Sequence, residues 1–183
     1  MGHYKNYKQK DITNPFPGYS DEGFITPLDF VDVFPPTLGN AAMGNKNIIN
    51  TDIVYKEGFG SIQIYFAPDS VEGDGELVGE KLAKRFQWKP KVIIVGEGPI
   101  VQELAENIMN TRFLLHVRTG ECEGDQFVQF GSKCTPCTVV EGSFKSGNLA
   151  GGRKQYEFTL ETYKKYFYNG VIVPLDDDTE VSI

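Results

Sequence analysis

Four residues that could hold a soft metal ion crowd into one stretch of this 183-residue chain: His116, Cys122, Cys134 and Cys137. Cys134-Thr135-Pro136-Cys137 is a C-x-x-C, which sets two thiolates on one turn, and tetrahedral zinc takes four such ligands. The same spacing serves dithiol redox exchange. The other half of a zinc site is poor, because His116 sits in an apolar run between Leu115 and Val117 and Cys122 has no ligand close to it in sequence. Three cysteines cannot all pair within the chain, which fits a reducing compartment. Structural thiols, buried or half-buried, therefore take precedence over a metal or redox centre, and no cofactor is expected.

A second cluster with chemical potential is Val92-Ile93-Ile94-Val95-Gly96-Glu97-Gly98-Pro99, followed by a helical pattern and then by Leu114 to Glu121. Strand, G-x-G, helix, strand and terminal acid stand in the order of a dinucleotide-binding βαβ unit, so a nucleotide-binding enzyme around Gly96 and Gly98 is one alternative. Two departures count against it. Val101 occupies the third glycine position, where helix and strand need close approach, and Pro99 removes an N–H from the phosphate-facing turn. A doubly wound sheet also needs further helices, and the residues after Glu121 show none. His3 and His116 are the only histidines, leaving one plausible general base, and a strand-face histidine explains His116 more simply. G-x-S-x-G, H-E-x-x-H and G-x-x-x-x-G-K-[ST] are all missing from the sequence, which points away from an enzyme.

The elements that would position these residues are mostly strands. Ile62, Ile64 and Phe66 alternate with Gln63, Tyr65 and Ala67 at period two, and Asn47 to Lys56 precedes them across a Glu57-Gly58 hairpin turn. Phe24 to Pro36, broken by prolines, suits a short edge strand. Leu77 to Val95 favours strand over helix, with a break at Pro90 before the β-branched run from Lys91 to Val95. Ile100, Val101, Leu104, Ala105, Ile108 and Met109 form the stripe of an amphipathic helix over about 99–110, with Pro99 in its first turn and Asn110 at its end. Period two returns over Phe113 to Arg118, Gln126 to Phe130, Thr138 to Lys145, Gln155 to Tyr163 and Val171 to Leu175, with a turn at 123 to 125 and a flexible loop at 147 to 152. The expected fold is mainly β: an antiparallel β-sandwich or barrel with one flanking α-helix and an extended N-terminal arm. The arm is expected over 1–23, a single β-rich domain over 24–175 and an acidic tail over 176–183. The arm's aromatics, Tyr4, Tyr7, Phe16 and Tyr19, would be wasted in water, and either a neighbouring subunit or their own domain could cover them.

Composition narrows the function classes. Twenty-three aromatics supply a core, and no apolar run approaches the roughly 18 residues of a membrane span. The start has no apolar h-region, and Asn6 stands where a myristoylation signal wants Ser or Thr, so a soluble protein without an export address is expected. Eighteen basic against 25 acidic residues leave a net charge of −7, which disfavours tight binding to a phosphate backbone. Asp69, Glu72, Asp74, Glu76 and Glu80 form an acidic stretch with no base, read as a Gly-containing loop, and Asp176, Asp177, Asp178 and Glu180 acidify the end. Both are solvated segments or surfaces that repel polyanions.

From the helix onward, Asn110-Thr111-Arg112-Phe113-Leu114-Leu115-His116-Val117-Arg118, Glu123-Gly124-Asp125, Val128-Gln129-Phe130-Gly131-Ser132, Pro136-Cys137, Gly142 to Gly147, Gly151-Gly152-Arg153 and Tyr156 to Tyr163 resemble, in order and texture, the C-terminal half of tailed-bacteriophage virion proteins of the tail-tube type. The resemblance implies a structural subunit without an active site, assembled with copies of itself into stacked rings that leave an acidic conduit for double-stranded DNA. It implies other virion proteins as partners, no membrane, synthesis in the host cytoplasm and residence in the phage tail. A head decoration or head–tail connector protein is the alternative within the same class. Subunit contacts are then expected at Tyr4, Tyr7, Phe16, Tyr19, Asn148 and Leu149, and lumen-facing acids among Asp69, Glu72, Asp74, Glu76, Glu121, Glu123 and Asp125.

Overall fold

The computed structural model describes residues 3–4, 19–39, 44–68, 70–119, 126–147, 152–176 and 181–182. In chain order the strands are β1 (His3–Tyr4), β2 (Tyr19–Pro27), β3 (Val31–Val33), β4 (Ile48–Ile49), β5 (Val54–Tyr55), β6 (Ile62–Tyr65), β7 (Glu72–Val78), β8 (Arg85–Val95), β9 (Phe113–Thr119), β10 (Phe127–Phe130), β11 (Thr138–Lys145), β12 (Gln155–Glu161), β13 (Lys165–Tyr168) and β14 (Val181–Ser182), with α1 (Pro99–Met109) between β8 and β9. A six-stranded sheet runs β4-β13-β10-β9-β2-β6, antiparallel except where β13 meets β4, and a four-stranded antiparallel sheet runs β11-β12-β8-β7. Neither sheet closes on itself, so the architecture is a sandwich and not a barrel.

The six-stranded sheet is apolar on both faces, which is why β9 reads Phe-Leu-Leu-His-Val and is buried at five successive positions. Phe113, Leu115 and Val117 point into a cluster shared with Ile25, Ile62, Ile64, Val92, Ile94, Phe158 and Leu160, between the two sheets. Val101, Leu104, Ala105 and Ile108 of α1 join it at the i, i+3, i+4, i+7 spacing, while Ile100 and Met109 fall outside that stripe and stay exposed. Leu114 points the other way, into a second cluster with Phe24, Val31, Ile49, Ile53, Phe127 and Tyr168. Residues 28–39 and 44–55, including the β3–β5 ribbon, form the cover on that side. Buried hydroxyls pin the cover: Thr26 Oγ1 and Ser61 Oγ lie 2.6 Å apart, Tyr55 reaches Ser61 at 2.7 Å, and the Tyr168 hydroxyl accepts from Ile53 N and donates to Val171 O.

Several sequence expectations change here. Phe24 belongs to β2, an interior strand between β9 and β6, not an edge strand. β2 begins at Tyr19, so the sheet takes in Tyr19–Gly23 from the stretch expected as an arm, and β1 pairs with β14 and lies beside α1. The turn at Gly58 exists (φ +79°), but its flanks do not pair: β5 joins β3 and β6 joins β2. The acidic stretch expected as a loop is largely β7. Pro90 does not end β8. Trp88 exchanges both backbone hydrogen bonds with Thr162, so the even-numbered N–H groups of β8 face β12; Pro90 deletes one, and pairing with β12 resumes at Lys91. Residues 171–175 make a single parallel bridge, Ser61 to Pro174, and the strand lies earlier, at β13.

Candidate assembly surface

The four-stranded sheet has one face against the core and one outward. Val92, Ile94, Phe158 and Leu160 fix the inward parity, so alternation turns Glu72, Asp74 and Glu76 of β7 outward, together with Arg85, Lys89 and Lys91 of β8, Glu157 and Glu161 of β12, and Glu141 and Lys145 of β11. The basic row on β8 lies between two acidic rows. Lys89 Nζ donates to Glu76 at 2.7 Å, Lys91 lies 3.7 Å from Glu72, and Lys145 Nζ donates to Glu157 at 2.6 Å. The bond to Lys145, with a second from Gln155, holds the Glu157 carboxyl below its ordinary range; the bond to Glu76 raises Lys89. Carboxylates outnumber bases on this face, and three of the six, Glu72, Glu76 and Glu157, are paired with lysines across strands.

An open hollow of about 640 Å³ lies on the same face, bordered by Ser70, Lys91, Glu141, Arg153 and Glu157. The Ser70 hydroxyl is buried and has no hydrogen-bond partner among the described residues. Anionic and cationic side chains line the hollow together, so it selects neither sign of ligand.

On the inward side β7 depends on glycine. A Cβ on Gly73 would come 2.8 Å from the Tyr19 ring and 3.1 Å from Phe130, and one on Gly75 would come 2.9 Å from the Trp88 ring. The aromatics pack against these bare positions. Tyr19 meets Phe130 edge-on at 6.1 Å, and the Lys165 ammonium stands over Trp88 at 4.7 Å and over Tyr19 at 5.8 Å. Tyr19 thus packs half-buried against the core of its own chain.

Both edges of this sheet are open: among the described residues β7 pairs only with β8 and β11 only with β12. Apolar side chains stand along them. Leu77 is 56% exposed, its register partner Phe86 53%, and Phe144 on β11 44%. A shift of register between Val139 and Glu141 leaves Val140 exposed as well. Native edge strands are normally short, charged or covered.

Of the other sequence candidates, Tyr4 lies in β1 opposite Val181. Tyr7, Phe16, Asp69, Glu121, Cys122, Glu123, Asp125, Asn148 and Leu149 lie outside the described residues. The soft-ligand set does not converge. Cys137 packs into the cluster between the sheets, its thiol pushed up to about 12 by burial, whereas Cys134 is exposed. His116 lies on the opposite face of the six-stranded sheet, its ring 5.1 Å from Tyr168 and its Nε2 3.1 Å from Gln129 Oε1. Burial lowers its imidazole to about 4. The G-x-G segment leads from β8 in one sheet through α1 to β9 in the other, so it does not form a βαβ unit, which requires two parallel strands of one sheet. The β7 and β11 edges were missed in sequence: Phe144 and Leu77 alternate like any half-buried strand residue, and periodicity does not say which strand stands last.

Fold and surface together define a two-sheet antiparallel sandwich with two open, partly apolar edges. No family model and no curated protein matches the sequence. A solved structure of the SPP1 tail tube, from solid-state NMR and cryo-EM, is similar at a TM-score of 0.42 and 11% identity over 86% of this chain and 81% of that one. A likeness at that level does not establish a common fold.

Proposed function

We propose that this chain is a structural subunit of a tailed-phage virion, a tail-tube protein whose copies join edge to edge into rings stacked around a conduit. The observation that carries this is the pair of open edges, β7 and β11, on opposite sides of one antiparallel sheet and running in opposite senses. Rotation about an axis brings β7 of one copy antiparallel to β11 of the next, a heterologous contact that closes into a ring. The sequence resemblance over residues 110–163 supports the same class.

Register adds a dimension. Glu141 stands opposite Thr159, Thr159 opposite Lys91 and Lys91 opposite Glu72, so the start of β7 is level with the middle of β11. Full overlap between copies puts Glu72 opposite Lys145, four residues further on, keeps like faces together and sets Leu77 near Val140. A slide of about 14 Å across four strand spacings of about 19 Å gives a strand tilt near 35°, within the usual range of closed barrels. The outward face then lines the lumen, where its excess of carboxylates repels phosphates and lets DNA pass without tight binding. The partners are other copies, other virion proteins and passing DNA; the site of residence is the virion, after synthesis in the host cytoplasm.

Negative-stain electron microscopy of the concentrated protein tests this. Rings or hollow tubes are expected, and Lys145→Glu, which faces Glu72 with a like charge, should reduce them while Glu72→Lys in the same chain restores them. A protein that stays monomeric at every concentration refutes the proposal.

A further inference from the structure

The β7–β8 hairpin ends in an unusual tip. Ala83 N donates to Glu80 O, closing a four-residue turn with Lys81 and Leu82 at its centre. Leu82 has φ +71°, and it is the one non-glycine residue with positive φ among the described residues. A positive φ at the third position alone is the geometry of a type II turn, which favours glycine there because a Cβ is strained. Leucine at this place costs backbone energy, and the side chain recovers nothing within the chain: it is 99% exposed. Lys81 and Lys84 beside it are exposed and have no ion-pair partner among the described residues. A strained, solvated, apolar knob flanked by cations has the form of a contact made with another molecule.

The chain carries a surface of complementary character. On the β3–β5 ribbon, Val33 and Val54 are register partners, and both are about half exposed. Asp29, just before the ribbon, and Asp32, within β3, are both exposed. This is an apolar pair beside two carboxylates, opposite in sign to the tip. We propose that the Leu82 tip of one copy docks on the Val33–Val54 ribbon of a second copy, with Lys81 and Lys84 facing Asp29 and Asp32. The contact rests on the self-assembly proposed above and adds to it a second interface, distinct from the β7 and β11 edges.

Sedimentation across a concentration series, paired with urea unfolding, tests the docking. Leu82→Gly relieves the positive φ, so its urea midpoint should rise, yet loss of the buried side chain should weaken self-association roughly tenfold or more. Lys81→Glu with Lys84→Glu should weaken association, as should Asp29→Lys with Asp32→Lys, and the chain carrying all four reversals should regain it. If the unaltered protein associates and Leu82→Gly associates equally, or the combined reversal regains nothing, the docking is overturned and edge-to-edge assembly stands. If the unaltered protein never associates, both fall.

Discussion

Acid should loosen this fold through His116, and the size of the effect follows from its surroundings. The ring is fully buried, Nε2 is paired with Gln129, Nδ1 has no hydrogen-bond partner among the described residues, and Tyr168 packs edge-on against the ring. Burial lowers the imidazole from 6.5 to about 4. The unfolded chain therefore takes up the proton first as pH falls. The stability that comes from keeping the ring neutral is whole above about pH 6.5, erodes between 6.5 and 4, and is gone below 4. At about 1.4 kcal/mol per pH unit the loss totals roughly 3 kcal/mol. Carboxylates also titrate near the lower end, so the measurement is a difference. Urea unfolding of dilute protein, followed by the fluorescence of Trp88, is compared for the parent and His116→Gln from pH 7 to pH 4. At pH 7 the parent should be more stable; by pH 4 its stability relative to His116→Gln should have dropped by about 3 kcal/mol. A difference that stays constant across this window would mean that His116 is not held neutral by burial, and the reasoning fails.

Two further outcomes bear on the geometry. Gly75→Ala forces a Cβ onto the Trp88 ring, which is held by Phe86, Phe130 and Lys165, and should cost about 1–3 kcal/mol; an unchanged urea midpoint would show that the ring does not cover that glycine. In a Cys122→Ser chain, a chromogenic disulfide reagent should label Cys134 at once and Cys137 only on unfolding, because the buried Cys137 thiol is pushed up to about 12. Equal labelling rates in the folded protein would contradict the burial of Cys137.

What could be read in the sequence was what local physics writes there. The stripe from Val101 to Ile108 needs only its own period and Pro99 to declare a helix, β12 alternates through Tyr156, Phe158 and Leu160, and β9 is an apolar run of strand length. The partners of strands are another matter. Residues 47–67 look like a hairpin because two apolar runs flank Gly58, yet β5 and β6 join β3 and β2, choices set by the cover over Phe24 and Tyr168. β7 was hidden because its outward acids and its glycines both resemble a loop; only Tyr19 and Trp88, lying over Gly73 and Gly75, explain why glycine belongs in that strand. The G-x-G segment misled for a related reason: sequence order cannot say that β8 and β9 lie in different layers.

The four-stranded sheet has an arithmetic of its own. With three strands or five, the outermost pair would run the same way, and each junction between rotated copies would switch from antiparallel to parallel hydrogen bonding. With four, the proposed seam would repeat the pattern of the interior. Nothing in the backbone then marks where one polypeptide stops and the next begins, and only curvature and side chains would determine how many copies complete a circle.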